Sequence, residues 1–168
     1  MKFKNKICAV LFTMTVAIVG AQEKKASSPA ETAQGKFKGA TVTINYGSPS
    51  VKGREIWGGL VPFGKIWRAG ANDATTIETD KDLTVEGKTL PAGKYSIFII
   101  PEKDNATVIF NKVAKQWGAY DYNEKEDVLR VKVKPVPSKE KTEKLIYKFN
   151  KDNITLSWDN WNIPISVK

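Results

Sequence analysis

Two residue types that carry much of enzyme chemistry are almost missing from this sequence, which has no histidine and one cysteine, Cys8. Without histidine, the chain can form neither a Ser-His-Asp triad nor a histidine-ligated zinc site. Cys8 lies in an N-terminal segment that we expect to be removed, so the remaining chain has no thiol nucleophile, iron–sulfur cluster or disulfide. Its core alone must therefore stabilise the fold, and its chemistry is restricted to carboxylates, lysine and oxygen-ligand metals.

Long apolar runs are also missing beyond the N-terminus. Residues 7–19 form an apolar run that is shorter than the roughly 20 residues of a membrane-spanning helix. Lys2, Lys4 and Lys6 precede this run, and small residues that a signal peptidase reads end it at Ala21. We therefore predict a signal peptide over residues 1–21, cleaved after Ala21, and a secreted or periplasmic protein that does not span the membrane. An uncleaved N-terminal anchor is the alternative.

The chain is basic, but the pattern of its charges does not indicate nucleic-acid binding. The formal charge of +9 falls to +6 when the three N-terminal lysines are removed. Arg130, Lys132 and Lys134 alternate with apolar residues, as on the solvent face of a strand. No dense basic run is interleaved with aromatic residues, and no glycine-rich phosphate motif is present. The excess of positive charge could still attract anionic partners in the cell envelope.

Alternation of apolar and polar residues dominates the chain after a polar leader. Residues 22–36 are rich in Ala, Ser, Glu and Lys, which predicts a flexible leader. From residue 37 to residue 168 the apolar positions recur with the period of two that is typical of half-buried strands. Residues 95–100 are apolar at odd and even positions alike, which predicts a central strand buried on both faces. The fold predicted for residues 37–168 is all-β, a single antiparallel β-sandwich that is jelly-roll-like.

Turn residues separate the predicted strands. Asp159-Asn160 lies between two apolar-alternating runs and predicts a two-residue hairpin loop, because both residue types tolerate positive φ. Residues 86–88 and 91–93 contain glycine and predict tight turns, and residues 123–127 suggest a helical turn. The charged residues 139–144 predict a connection between strands.

Residues 48–76 break the alternation and form the one long irregular stretch of the domain. Long loops in compact domains are often functional. Trp57 and Trp67 offer large contact areas, and Arg54 and Arg68 can bind carboxylate, sulfate or phosphate groups bidentately. The alternative is structural: the aromatic side chains would then close one end of the sandwich, and the arginines would bind buried carbonyls.

A polar cluster follows within the same stretch, beside Ala and Gly residues that would let a ligand approach the backbone. The predicted ligand-binding residues are Arg54, Trp57, Trp67, Arg68, Asn72, Asp73, Thr75 and Thr76.

The motifs of this stretch resemble those of a known family. They are Pro-Ser-Val-Lys-Gly-Arg from Pro49, Trp-Gly-Gly-Leu-Val-Pro-Phe-Gly-Lys-Ile-Trp-Arg from Trp57, and Gly-Ala-Asn-Asp-Ala-Thr-Thr from Gly70. Gln116-Trp-Gly-Ala is a further match. The chain is similar in these motifs to an uncharacterised family of secreted bacterial proteins, catalogued as a domain of unknown function. The resemblance implies a secreted single-domain protein, and no activity, ligand or catalytic residue.

Three kinds of function are compatible with the composition. We favour a non-catalytic binding module for a glycan or another small envelope ligand, such as an anionic one, with no cofactor and no metal. The alternatives are a carboxylate-dependent hydrolase and a structural or interaction protein without a small ligand. A hydrolase would need two acids facing each other across a cleft; the candidates are Glu55, Asp73, Glu78 and Asp121.

Overall fold

The computed structural model describes residues 28–168, so the predicted signal peptide lies outside the described residues. The described part contains ten strands and one short 3-10 helix at Glu124–Glu126. The strands are β1 (Ala30–Phe37), β2 (Ala40–Gly47), β3 (Thr76–Thr79), β4 (Leu83–Val85), β5 (Lys88–Leu90), β6 (Gly93–Pro101), β7 (Ala106–Asn111), β8 (Asp127–Val133), β9 (Val136–Phe149) and β10 (Asn153–Ser166).

Two antiparallel layers form a sandwich. The first layer is a six-stranded sheet in the order β1-β2-β3-β6-β7-β8. The second contains the pairs β10-β9 and β4-β5, which a bridge between Val85 and Val167 joins edge to edge. The all-β antiparallel sandwich is therefore confirmed. Strand order in the six-stranded sheet follows the chain, with only β4 and β5 diverted to the other layer, a meander order instead of the Greek keys of a jelly roll.

β6 is the central strand that the sequence predicts. Ile97 and Ile99 point into the main core between the two layers and are almost completely buried. Phe98, at the opposite parity, packs with Ile109 and Ala74 in a smaller cluster on the outer face of the six-stranded sheet. Apolar residues at both parities are needed because both faces of this strand are covered.

The tight turns are where the sequence predicts them. Glu86 and Gly87 connect β4 to β5 with φ of 48° and 79°. Such left-handed pairs match the twist of a hairpin. Asn123 begins the 3-10 helix, and its side chain accepts a hydrogen bond from the Lys125 amide, so the helical turn predicted here is present.

The structure differs from the sequence prediction at the leader. Residues 30–36, expected to belong to a flexible leader, lie in β1, which pairs with β2 from Ala30 opposite Gly47 to Phe37 opposite Ala40. Within β1 only Phe37 is buried. A strand at the edge of a sheet is held by backbone hydrogen bonds and needs little apolar side-chain surface, so alternation does not reveal it.

Two further predictions, both concerning β9 and β10, are wrong. Residues 139–144 are part of β9, whose charged side chains face solvent at a sheet edge. Asp159-Asn160 is no hairpin loop, because β10 runs without interruption past it and the register with β9 shifts on both sides of Asp159. Asp159 does have positive φ, 50°, and this conformation makes a β-bulge here instead of a turn.

None of the helices in the described part of the chain has the length and apolarity that a membrane span requires.

Candidate functional site

The tryptophans of the irregular segment close one end of the sandwich. Trp57 and Trp67 are only 8% and 9% exposed, and their rings meet edge to face at 5.7 Å. Trp57 stacks on Trp161 at 4.7 Å, and Trp67 stacks on Trp158 at 5.8 Å. These rings belong to the main core cluster, as the structural alternative holds, and they form a firm base beneath the loop that follows.

The loop at residues 69–75 is held in a strained conformation. Ala69 and Asn72 have φ of 54° and 64°, in the left-handed region that asparagine tolerates and alanine seldom adopts. The buried Ala69 carbonyl accepts hydrogen bonds from the Thr75 hydroxyl at 2.9 Å and from the Tyr147 hydroxyl at 2.8 Å. Burial raises the pKa of Tyr147 far above its ordinary value, which keeps its hydroxyl protonated as a donor. Thr75 is therefore a support for the loop and lies below its surface.

One side of this loop borders a hollow of about 420 Å³, the basic hollow. Lys52, Arg54 and Arg68 line it with Trp67 and Asn72, and none of its lining side chains within residues 28–168 is acidic. Arg54 is fixed by hydrogen bonds from its Nε to the Val51 carbonyl at 3.0 Å and from its Nη2 to the Ser50 carbonyl. The Nε of Arg68 is buried and has no hydrogen-bond partner in the described part of the chain. Arginine side chains that border a basic concavity are suited to an anion, because guanidinium N–H groups match the oxygens of carboxylate, sulfate and phosphate groups.

The other side of the loop borders a larger hollow of about 610 Å³, the outer hollow, on the outer face of the six-stranded sheet. Hydroxyl and amide side chains line much of it, from Thr32 of β1, Asn45 of β2, Thr76 of β3 and Gln116. Charged side chains of both signs are also present. The two hollows share Ala71 and Asn72, so the loop is the ridge between them, and the Asn72 amide is tied to the Ser28 carbonyl at 3.0 Å.

Two exposed aromatic residues near this ridge are absent from the predicted site. Trp117 is 60% and Tyr120 is 84% exposed, in the irregular segment between β7 and the 3-10 helix. The backbones of Trp117 and Asp73 pair in an isolated antiparallel β-bridge, and the Ala74 amide donates a hydrogen bond to the Gln116 carbonyl at 2.9 Å. Directly opposed residues of an antiparallel pair present their side chains on the same face, so the indole stands beside the Asp73 carboxylate.

The structure thus divides the predicted ligand residues among three places. The basic hollow is lined by Arg54, Trp67, Arg68 and Asn72; the outer hollow by Asn72, Asp73 and Thr76; and Trp57 and Thr75 are in the core. The motif Gln116-Trp-Gly-Ala, interrupting the strand pattern, was the sequence signal that could have identified Trp117.

The acids proposed for a hydrolase do not meet across a cleft. Glu55 and Asp121 are exposed and line neither hollow, while Glu78 forms an exposed ion pair with Lys94 at 3.3 Å. Asp73 shares the outer hollow with Glu31, and both are exposed, whereas a general acid of a glycosidase is typically desolvated. Within residues 28–168, no three acidic side chains approach closely enough to hold a metal ion.

Fold and site together define a small all-β sandwich domain with a rigid ridge and a hollow on each side of it. The family model of the protein of unknown function DUF2911 matches residues 28–167. The chain therefore belongs to this family. No curated protein and no solved structure matches the chain.

Proposed function

We propose that this protein is a secreted or periplasmic, non-catalytic binding module that takes a small anionic ligand in the basic hollow. The observation that carries the proposal is the charge of the lining, which contains Lys52, Arg54 and Arg68 and no acidic residue among those described. The Glu143 carboxylate, which accepts a hydrogen bond from the Lys52 amide at 3.0 Å, is outside this lining. Like charges in a partly desolvated concavity repel one another, and an anion relieves that repulsion.

The hydrogen-bonding capacity of the two arginines supports an anion with several oxygens. A guanidinium has five N–H groups. Arg54 donates from its Nε and Nη2 to backbone carbonyls, which holds the guanidinium in place, and its Nη1 makes no hydrogen bond within residues 28–168. Arg68 lines the same hollow, and its guanidinium adds further N–H donors. Carboxylate, sulfate and phosphate groups match this arrangement, so an acidic glycan or an envelope phosphate is a suitable ligand.

The rigidity of the ridge supports binding over catalysis or passive structure. Positive φ at Ala69 stores backbone strain, a feature that clusters at binding sites. The two donors on the Ala69 carbonyl fix the loop before any ligand arrives, which reduces the entropy lost on binding. The exposed acids of the outer hollow lack the burial that is typical of a glycosidase general acid, so the hydrolase is the weaker hypothesis.

The test is isothermal titration calorimetry with sulfate, inorganic phosphate and glucuronate. We expect at least one of these anions to bind, with an affinity that falls as salt is raised. Arg68→Gln and Arg54→Gln should each weaken binding by about 10-fold to 100-fold, because a hydrogen bond to a charged group contributes roughly 1.5–3 kcal/mol. Lys132→Gln removes the same charge from an exposed position on β8, the far edge of the sheet, and is the matched control.

Failure of all three anions to bind would refute the proposal. So would equal affinities of the Arg68→Gln and Lys132→Gln variants.

A further inference from the structure

The exposed indole of Trp117 has no role in the proposed anion site. Trp117 leaves 60% of its surface in water, although burying a tryptophan is strongly favourable. The backbone on both sides of it is fixed, because the Gly118 amide donates to the Asn72 carbonyl at 3.2 Å and the Gln116 side chain is anchored to Val113 at 2.7 Å. The indole is therefore presented on a rigid support.

The groups around Trp117 match the chemistry of a sugar ring. One face of a pyranose is rich in C–H groups and stacks on an aromatic face, while its hydroxyls both donate and accept hydrogen bonds. The Asp73 carboxylate, on the same face of the bridge, accepts from hydroxyls. Beyond it, Thr32, Asn45 and Thr76 bring hydroxyl and amide groups into the outer hollow.

A continuous surface connects this region to the basic hollow. Asn72 lines both hollows. Gly118, with φ of 64°, lies against the Tyr120 ring, and a Cβ placed on it would be 3.9 Å from Nη1 of Arg68. The Tyr120 ring and Nη1 of Arg68 therefore both lie close to Gly118, which directly follows Trp117 in the chain.

We infer that Trp117 and the outer hollow form a subsite for uncharged sugar rings. The inference rests on the proposed function for the other end of the ligand, whose anionic group lies in the basic hollow. The ligand is then an acidic oligosaccharide that crosses the ridge at Asn72, and its affinity exceeds that of a single acidic sugar because further rings stack on Trp117.

The experiment begins with an array of neutral oligosaccharides and of related oligosaccharides bearing uronic acid, sulfate or phosphate groups. Two ligands are then titrated into the wild type and the variants. One is the acidic oligosaccharide that binds most tightly, and the other is its acidic monosaccharide alone. We expect the oligosaccharide to bind more tightly than the single sugar. Trp117→Ala should weaken the affinity for the oligosaccharide by about 10-fold to 30-fold, as at a binding hot spot. The affinity for the single sugar should not change. Trp117→Phe should keep most of the affinity. Val113 is an exposed apolar residue of the same segment, and Val113→Ala is the control that should keep all of it.

The outcomes separate the inference from the proposed function. Binding of an acidic oligosaccharide that Arg68→Gln weakens and Trp117→Ala does not would overturn the sugar subsite alone. Trp117-dependent binding of acidic oligosaccharides that Arg68→Gln leaves intact would support the subsite and overturn the anion site. An array without any bound oligosaccharide would overturn the subsite, whatever sulfate or phosphate does.

Discussion

The carbonyl of Ala69 is a point at which the stability of the ridge can be measured directly. It is buried, and its two donors in the described structure are the hydroxyls of Thr75 and Tyr147. Tyr147→Phe and Thr75→Val each remove one donor while keeping the shape of the side chain. Either change alone leaves the carbonyl with one partner, so each should cost about 0.5–1.5 kcal/mol, the net contribution of a hydrogen bond.

The double variant should cost more than the sum of the two. With both donors removed the carbonyl is buried without a partner, which adds a desolvation penalty of about 1–3 kcal/mol. A double-mutant cycle should therefore show a destabilising coupling energy of that size, within the range measured for residues of one hydrogen-bond network.

The assay is urea unfolding followed by far-UV circular dichroism, with the m-value checked for constancy across the variants. A second cycle pairs Thr75→Val with Tyr95→Phe, whose hydroxyl donates to the Pro91 carbonyl at 3.0 Å elsewhere in the fold. That pair should be additive. If the Tyr147 and Thr75 changes also add to within about 0.3 kcal/mol, the Ala69 carbonyl does not support the ridge and the reasoning is wrong.

Three further predictions concern the core, the response to pH and export. Ile99→Ala should lower the free energy of unfolding by about 2–5 kcal/mol in urea titrations, because Ile99 is fully buried in β6, and a loss below ~1 kcal/mol would contradict its central position. Burial and the hydrogen bond to Asp127 raise the pKa of Tyr122 from 10.0 to about 12, so its contribution to stability is complete below pH 10 and is lost as the pH rises towards 12. Melting temperatures recorded across this window should fall, less steeply for Tyr122→Phe, and identical slopes would contradict the assignment. Mass spectrometry of the exported protein should find Gln22, or its pyroglutamate form, as the first residue, whereas retention of residues 1–21 would show an uncleaved anchor.

Periodicity in the sequence predicts the strands that bury one or both faces and fails for those that do not. Ile97, Phe98 and Ile99 mark β6 because each of them meets core on its own side of the sheet. β1 buries little more than Phe37, so its existence depends on pairing with β2, which no local pattern records. The same limit explains Asp159, since a residue type that tolerates positive φ serves a turn and a bulge equally well.

The sequence predicts those residues of the candidate site that stand out within their own stretch of the chain. Arg68 and Asn72 stand out because they interrupt the alternation, and both line the basic hollow. Which aromatic residues would be core and which exposed depends on contacts between distant segments. Trp57 is buried by stacking on Trp161, far along the chain, whereas Trp117 is exposed because its segment crosses the outer face of the sheet. Composition alone cannot separate these two cases.

The partition of the tryptophans has an optical consequence. The sequence has five tryptophans, and four of them, Trp57, Trp67, Trp158 and Trp161, are neighbours in the aromatic cluster at the end of the sandwich. Trp117 stands apart from them and faces water. Because indole emission shifts to longer wavelength in contact with water, the red edge of the fluorescence spectrum should come mainly from this one residue. Acrylamide should quench that component first, and a sugar ring stacked on the indole should shield it, so Trp117 fluorescence would report occupancy of the proposed subsite.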